Sequence, residues 1–223
     1  MASSGSSPLP GAQLAWQALV GAPDPTRLTD AELELYQTLG PERRRLEWWA
    51  GRIAAHEALS ACGAQSLSVL RSESGAPRLV GPDAELFSVA ITHGRRQAAA
   101  IAVRRDAPYP FVGLDLVDPE DQVRIDKISP RVFRSSELLL FAADPQGPRL
   151  GWATKEAIAK ATQTGMFVFA LSRAWLVSLD PLRSNLEGVV LFAETLADGS
   201  LLVVAGASPE ARGAAQFLAG ISP

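Results

Sequence analysis

The chain has 223 residues, a formal net charge of -3 and 47% hydrophobic residues. That composition is typical of a folded globular protein, and the acidic balance argues against a general nucleic-acid binder, which needs a strongly basic face. One cysteine excludes an internal disulfide, and two histidines exclude a histidine-rich metal site. We expect a cytoplasmic protein, because the first residues lack the regions of a signal peptide and no stretch approaches the roughly 20 apolar residues of a membrane span.

The predicted elements begin with a flexible segment over residues 1–12, which is rich in Ser, Gly and Pro. A capping box at Thr29 and Glu32 predicts a short helix, which the Gly40-Pro41 pair separates from a long helix over 42–61. The remaining predicted elements are strands over 87–92, 98–103, 111–117, 189–194 and 201–204 and helices over 132–143 and 151–164. This order of helices and paired strands predicts an α+β fold.

A weak internal repeat divides the chain. The segment Arg45–Trp48 (RLEW) recurs as Arg149–Trp152 (RLGW), each at a predicted long helix, although three identical letters out of four can match by chance. A Pro-rich break near residue 108 separates the copies. We therefore expect an N-terminal half over 13–108 and a C-terminal half over 109–223.

The predicted strand 111–117 is apolar except for one carboxylate, Asp115. Strand alternation places Gly113, Asp115 and Val117 on one face, and Gly113 leaves room for a ligand beside the acid. A buried carboxylate is paired, bound to a metal or close to solvent, because burying it alone costs several kcal/mol. The local sequence leaves open whether Asp115 belongs to a site or accepts hydrogen bonds from a loop.

The predicted helix 151–164 carries Trp152, Glu156 and Lys160 on one face. Only three of the 21 Lys and Arg residues are lysines, Lys127, Lys155 and Lys160. A lysine can move a proton, which arginine does poorly. The alternative is a helix ion pair between Glu156 and Lys160, worth about 0.3–0.5 kcal/mol.

His93 ends a predicted strand and precedes Gly94, where its ring and nearby backbone N–H groups can meet an anion. A histidine at such a position can also be an ordinary turn residue. Arg52 lies in the first long helix next to Gly51, whose presence inside a helix costs about 1 kcal/mol and indicates close packing or ligand access. The preceding Arg43–Arg45 run is either a solvated helix start or a surface that attracts an acidic partner.

Four segments together resemble the 4′-phosphopantetheinyl transferase superfamily: Gly51–Leu59, Ser88–His93, Gly113–Leu116 and Trp152–Ala161. The most diagnostic feature is Trp-x-x-Lys-Glu-Ala-x-x-Lys downstream of Gly-x-Asp. The similarity extends over residues 28–205, and the two-half length fits the larger, monomeric branch. It implies two halves related by a pseudo-two-fold axis, each with a long helix on a small, mainly antiparallel sheet, and an active site at the interface of the halves.

The resemblance also implies an activity. Members transfer the 4′-phosphopantetheine arm of coenzyme A to a serine of an apo acyl or peptidyl carrier protein. They release adenosine 3′,5′-bisphosphate and require Mg²⁺. Partners are thus coenzyme A and a carrier protein, with no nucleic acid or membrane, and the sequence leaves open which carrier. Arg43–Arg45 and Arg131–Arg134 are candidate carrier contacts.

Motif position assigns the roles of individual residues. By resemblance, Asp115 and Glu156 hold Mg²⁺, and Lys160 neutralises or protonates the leaving phosphate. Glu156, directly or through a water, accepts the proton of the carrier serine. In addition to Lys160, the resemblance implies five contacts with coenzyme A. Arg52 and His93 bind the 3′-phosphate, with Thr92 nearby, and Lys155 and Arg78 contact phosphate.

The sequence departs from the family pattern in three places, one of them the variation of Ala153 and Thr154 within the helix motif. Val117 stands where many members have a third acid, and Ala76 stands where they have the lysine of a Gly-Lys-Pro turn, a contact that Arg78 can replace. Two alternatives therefore remain. One is a non-catalytic module that binds coenzyme A or a carrier protein through a decayed site. The other is an α+β scaffold in which Glu156 and Lys160 form only a surface ion pair.

Overall fold

The computed structural model describes residues 3–166 and 173–221, and the chain divides into two compact units, Met1–Pro110 and Phe111–Pro223. The N-terminal unit contains helices α1 (Asp30–Gln37) and α2 (Glu42–Ala61) and strands β1 (Ser3–Ser6), β2 (Ala12–Ala18), β3 (Ser68–Arg71), β4 (Pro77–Val80), β5 (Phe87–His93) and β6 (Gln97–Arg104). The C-terminal unit contains helices α3 (Gln122–Val132), α4 (Ser135–Phe141), α5 (Gly147–Thr162) and α6 (Pro209–Leu218) and strands β7 (Phe111–Val117), β8 (Leu176–Leu179), β9 (Leu182–Ser184), β10 (Val189–Thr195) and β11 (Leu201–Ala207). Among the described residues, no helix is both long and apolar enough to cross a membrane.

In the N-terminal unit, α2 packs on an antiparallel sheet of order β1-β2-β6-β5. The helix and the central strand meet through small side chains, with Ala54 and Ala58 of α2 and Ala100 and Ala102 of β6 all fully buried. Because alanine adds little bulk, the helix lies close to the sheet. The hairpin β3–β4 pairs separately, with Val69 opposite Leu79.

In the C-terminal unit, α5 packs on β7 and β11 of an antiparallel sheet of order β10-β11-β7. Strand β7 occupies the residues predicted for it, and Asp115 lies opposite Val203. A Cβ atom on Gly113 would overlap the carbonyl oxygen of Ala157 and lie 2.6 Å from the amide nitrogen of Ala161. The room at Gly113 is therefore filled by the backbone of α5, which corrects the prediction that it admits a ligand.

The two units share one order of elements. Each has a strand, then a long helix, then a hairpin of two strands. The second hairpin strand lies between the first hairpin strand and the strand before the helix, which gives the orders β2-β6-β5 and β7-β11-β10. This topology agrees with the predicted α+β fold, in which each half is a long helix on a small antiparallel sheet.

Each unit also contains a fully buried glutamate at the third position of a short helix. In the N-terminal unit, Glu32 completes the predicted capping box with Thr29. Its Oε1 accepts a hydrogen bond from the Val69 amide of β3 at 2.6 Å and lies 2.8 Å from Nε2 of His56 in α2. One carboxylate thus ties α1, α2 and β3 together.

The predicted elements differ most from the observed ones in three segments. The helix predicted over 132–143 is α4, which begins only at Ser135 because Phe133 is extended, with φ -106° and ψ 148°, and ends α3. The helix predicted over 151–164 begins at Gly147, with proline in its first turn, and ends at Thr162, followed by Gln163 in the left-handed conformation with φ 56°. Residues 3–6, in the segment predicted to be flexible, form β1 against β2.

Candidate active site

The clearest cluster of charged side chains in the C-terminal unit joins β7 to α5. Nζ of Lys160 donates to Oδ1 of Asp115 at 2.9 Å and to the carbonyl oxygen of Leu114 at 2.9 Å. Glu156 lies one helical turn before Lys160. Both are half-buried between fully buried neighbours. Asp115 of the strand therefore contacts Lys160, and Glu156 lies on the same face of α5 as that lysine.

Electrostatics couple the two carboxylates. Burial raises the pKa of Glu156 above its ordinary value of 4.5, and the negative charge of Asp115 raises it further, while Lys160 opposes both effects. Two such acids in a partly buried place favour a bound cation or a proton. The donor set fits Mg²⁺, which typically binds one or two carboxylates together with substrate phosphate oxygens and water.

The third acidic position of the family pattern is absent from the cluster. Val117 lies in the apolar core, 4% exposed, in the same cluster as Ile158 of α5. The next residue, Asp118, is buried and accepts a hydrogen bond from Oγ of Ser200 at 3.2 Å. In residues 3–166 and 173–221, no group of three His, Cys, Asp or Glu side chains is arranged to hold a metal ion.

Lys155 does not lie where its motif position predicts a phosphate contact. Its side chain is fully buried, with Nζ 3.1 Å from Oε1 of Glu137 in α4 and donating to the carbonyl oxygen of Ala174. Glu137 also accepts from the backbone amides of Arg134 at 2.9 Å and Leu176 at 3.1 Å. This is the C-terminal counterpart of the Glu32 arrangement, and it gives Lys155 a structural position rather than a phosphate contact.

In the N-terminal unit, Arg52 and His93 line one cavity of about 480 Å³. Arg52 is held firmly, since its Nε donates to the carbonyl oxygen of Val69 at 3.1 Å and its guanidinium lies 4.1 Å from the ring centre of Trp48. Burial lowers the pKa of Arg52 to about 10, with Glu32 opposing and Arg71 adding to that effect. Arg52 therefore stays cationic at neutral pH. The cavity is lined by Pro41, Arg43, Arg44, Glu47, Trp48, Gly51, Arg52, Ile91 and His93.

The mouth of this cavity carries further charges. His93 has 54% of its side chain exposed, and its Nε2 lies 3.6 Å from Oε2 of Glu47. The other oxygen of Glu47 accepts from Nε of Arg43, whose guanidinium also donates to the carbonyl oxygen of Arg95 at 2.8 Å. Glu47 was not among the residues predicted from the sequence, although its spacing of four residues from both Arg43 and Gly51 places all three on one face of α2.

Two other predicted coenzyme A contacts are not among the side chains that line this cavity. Thr92 is buried and, by strand alternation, faces the opposite side of β5 from Ile91 and His93. Arg78 is exposed on β4. Gly51 is in the cavity wall, but a Cβ there would lie 2.9 Å from Cγ2 of Ile91, so close packing already requires the glycine.

Comparison with known protein families gives two matches. Residues 36–103 match the 4′-phosphopantetheinyl transferase N-terminal domain, and residues 111–185 match the 4′-phosphopantetheinyl transferase superfamily domain. The first range contains Arg52 and His93, and the second contains Asp115, Glu156 and Lys160. No curated protein matches the chain significantly.

Proposed function

Since the chain belongs to the 4′-phosphopantetheinyl transferase superfamily, we propose that it transfers the 4′-phosphopantetheine group of coenzyme A to a serine of an apo acyl or peptidyl carrier protein. The reaction releases adenosine 3′,5′-bisphosphate and depends on Mg²⁺. The observation that carries the proposal is the cluster of Asp115, Glu156 and Lys160, which combines two neighbouring carboxylates with a fixed ammonium.

Asp115 and Glu156 would hold the Mg²⁺. When bound, the ion neutralises charge on the diphosphate of coenzyme A, which is the main demand that phosphoryl transfer makes on a protein. Water and substrate oxygens would supply the remaining ligands, because Val117 offers no oxygen. The side chains present therefore fit the ion that the family requires.

In the transfer step, the serine oxygen forms a bond to the phosphorus that carries the pantetheine arm. The bond from that phosphorus to the oxygen of the adenosine bisphosphate breaks. Glu156, directly or through a water, accepts the serine proton as the general base of this step. Lys160, held by Asp115 and the Leu114 carbonyl, neutralises the departing phosphate.

The proposal assigns the 3′-phosphate of coenzyme A to the cavity of the N-terminal unit. Arg52 supplies a fixed guanidinium there, and His93 supplies an exposed imidazole. Arg43 and Arg44 line the same cavity and add positive charge. Guanidinium groups bind phosphate through paired, charge-assisted hydrogen bonds, so this cavity suits an anionic ligand.

A mass-shift assay tests the proposal. Wild-type protein, coenzyme A and Mg²⁺ are incubated with a panel of apo carrier proteins from fatty-acid, polyketide and nonribosomal-peptide synthesis. We expect the mass of at least one carrier to increase by one phosphopantetheine group. Lys160→Met should slow this transfer, whereas Lys127→Met, which changes an exposed lysine of α3, should not.

Two outcomes would contradict the proposal. Binding of coenzyme A without transfer to any carrier would identify a non-catalytic binding module. Transfer at the full rate by Glu156→Gln would refute the assignment of the proton acceptor and the metal ligand.

A further inference from the structure

The cavity of the N-terminal unit contains an acid among its cations. Glu47 contacts Nε of Arg43 through one carboxylate oxygen, and its other oxygen lies 3.6 Å from Nε2 of His93. Arg52 lines the same cavity. Glu47 is well shielded, since only 24% of its side chain is exposed.

A phosphate in this cavity would compete with that carboxylate. Both groups accept hydrogen bonds from guanidinium and imidazole donors, so Arg43 and His93 would be shared between them or exchanged. A phosphate that shares these donors also lies close to a like charge. Glu47 therefore weakens the binding of a phosphate to the cationic side chains of this cavity.

We propose that Glu47 is an internal counter-ion that limits the affinity of this cavity for 3′-phosphorylated nucleotides, an inference that rests on the proposed function. The reaction product, adenosine 3′,5′-bisphosphate, keeps the 3′-phosphate of coenzyme A. A cavity with only cations would retain that product after transfer. Glu47 offers Arg43 and His93 a replacement partner as the product leaves, and so favours its release.

The solvent exposure of the side chains that contact Glu47 sets the expected change in bisphosphate affinity. His93 and Arg43 each have about half of their side chains exposed, at 54% and 51%. Ion pairs in such surroundings contribute roughly 0.2–1 kcal/mol. Loss of the Glu47 charge should therefore tighten bisphosphate binding by a factor of about 1.4 to 5.

Calorimetry on the full chain tests the inference with two ligands, adenosine 3′,5′-bisphosphate and adenosine 5′-monophosphate. Glu47→Gln keeps the shape of the side chain and removes its charge. The matched control is Glu57→Gln, which neutralises another acid of α2, one that pairs with Arg27. We expect Glu47→Gln to bind the bisphosphate more tightly, with unchanged binding of the monophosphate, and Glu57→Gln to behave as wild type.

Unchanged or weaker bisphosphate binding by Glu47→Gln would overturn the inference, as would an equal change for both nucleotides. Product inhibition gives a second measure, since the inhibition constant of the bisphosphate should fall by the same factor in Glu47→Gln. Wild-type protein that binds no bisphosphate would refute both this inference and the assigned 3′-phosphate site. Tighter binding by Glu47→Gln in a protein that transfers nothing would refute the proposed function alone.

Discussion

Replacing Lys155 with methionine should destabilise the protein without acting on the chemistry. The Lys155 ammonium and the Glu137 carboxylate are fully buried and 3.1 Å apart, and burial lowers the pKa of Lys155. Methionine fills a similar volume but leaves the carboxylate buried without its cation, which costs about 3–5 kcal/mol. We expect the lower end of that range, because Glu137 keeps the hydrogen bonds from the Arg134 and Leu176 amides.

Urea unfolding measures the effect as a change in the free energy of unfolding. Lys127→Met is the control, and an exposed change of this kind should stay within about 0.5 kcal/mol. The double variant Lys155→Met, Glu137→Gln should recover part of the loss, since no uncompensated charge remains. A loss below about 1 kcal/mol in Lys155→Met, together with a raised KM for coenzyme A, would show that this lysine contacts phosphate after all.

Three further variants probe the packing, the acids and the cavity. Gly113→Ala should destabilise the protein by several kcal/mol or prevent folding, because the new Cβ would overlap the Ala157 carbonyl. The control Gly213→Ala has open space around it and should raise the stability, by at most about 1 kcal/mol. Glu156 has a raised pKa in the folded protein, so its ionisation destabilises the fold. Glu156→Gln should therefore be more stable than wild type in EDTA at neutral pH, and this gain in stability should vanish as the pH falls below 4.5. A gain that does not depend on pH would contradict this reasoning. His93→Ala should raise the KM for coenzyme A about tenfold, while the KM for dephospho-coenzyme A and the urea midpoint stay unchanged. An equal change in KM for both substrates would argue against a contact between His93 and the 3′-phosphate.

The faces on which Asp115, Glu156 and Lys160 lie could be predicted from the sequence, because they depend only on the periodicity of one strand and one helix. An acid in an apolar strand has a defined face, and two residues four apart on a helix share one. The structure confirms that Gly113 and Asp115 share a face of β7, and it shows that this face is turned to α5. The reason for Gly113 was predicted wrongly, since the close approach of a helix backbone leaves no trace in the sequence around the glycine.

Lys155 shows the limit of local signals. In the motif it stands beside Glu156, where the resemblance implies a phosphate ligand, yet its partners are Glu137 of α4 and the Ala174 carbonyl. Neither partner is near it in sequence, so only the folded chain reveals the buried ion pair. Glu47 was missed for a similar reason, because its contact with His93 joins α2 to the end of β5.

The most direct test of the central claim is the effect of Mg²⁺ on coenzyme A binding, measured by calorimetry. Wild type is compared with Asp115→Asn, Glu156→Gln, the double variant and the control Asp126→Asn, which changes an exposed acid of α3. If the two carboxylates hold one ion, Mg²⁺ tightens binding in wild type and in the control but in neither single variant, and the double variant is no worse than the singles. Enhancement by Mg²⁺ that survives in Asp115→Asn or Glu156→Gln would contradict the claim.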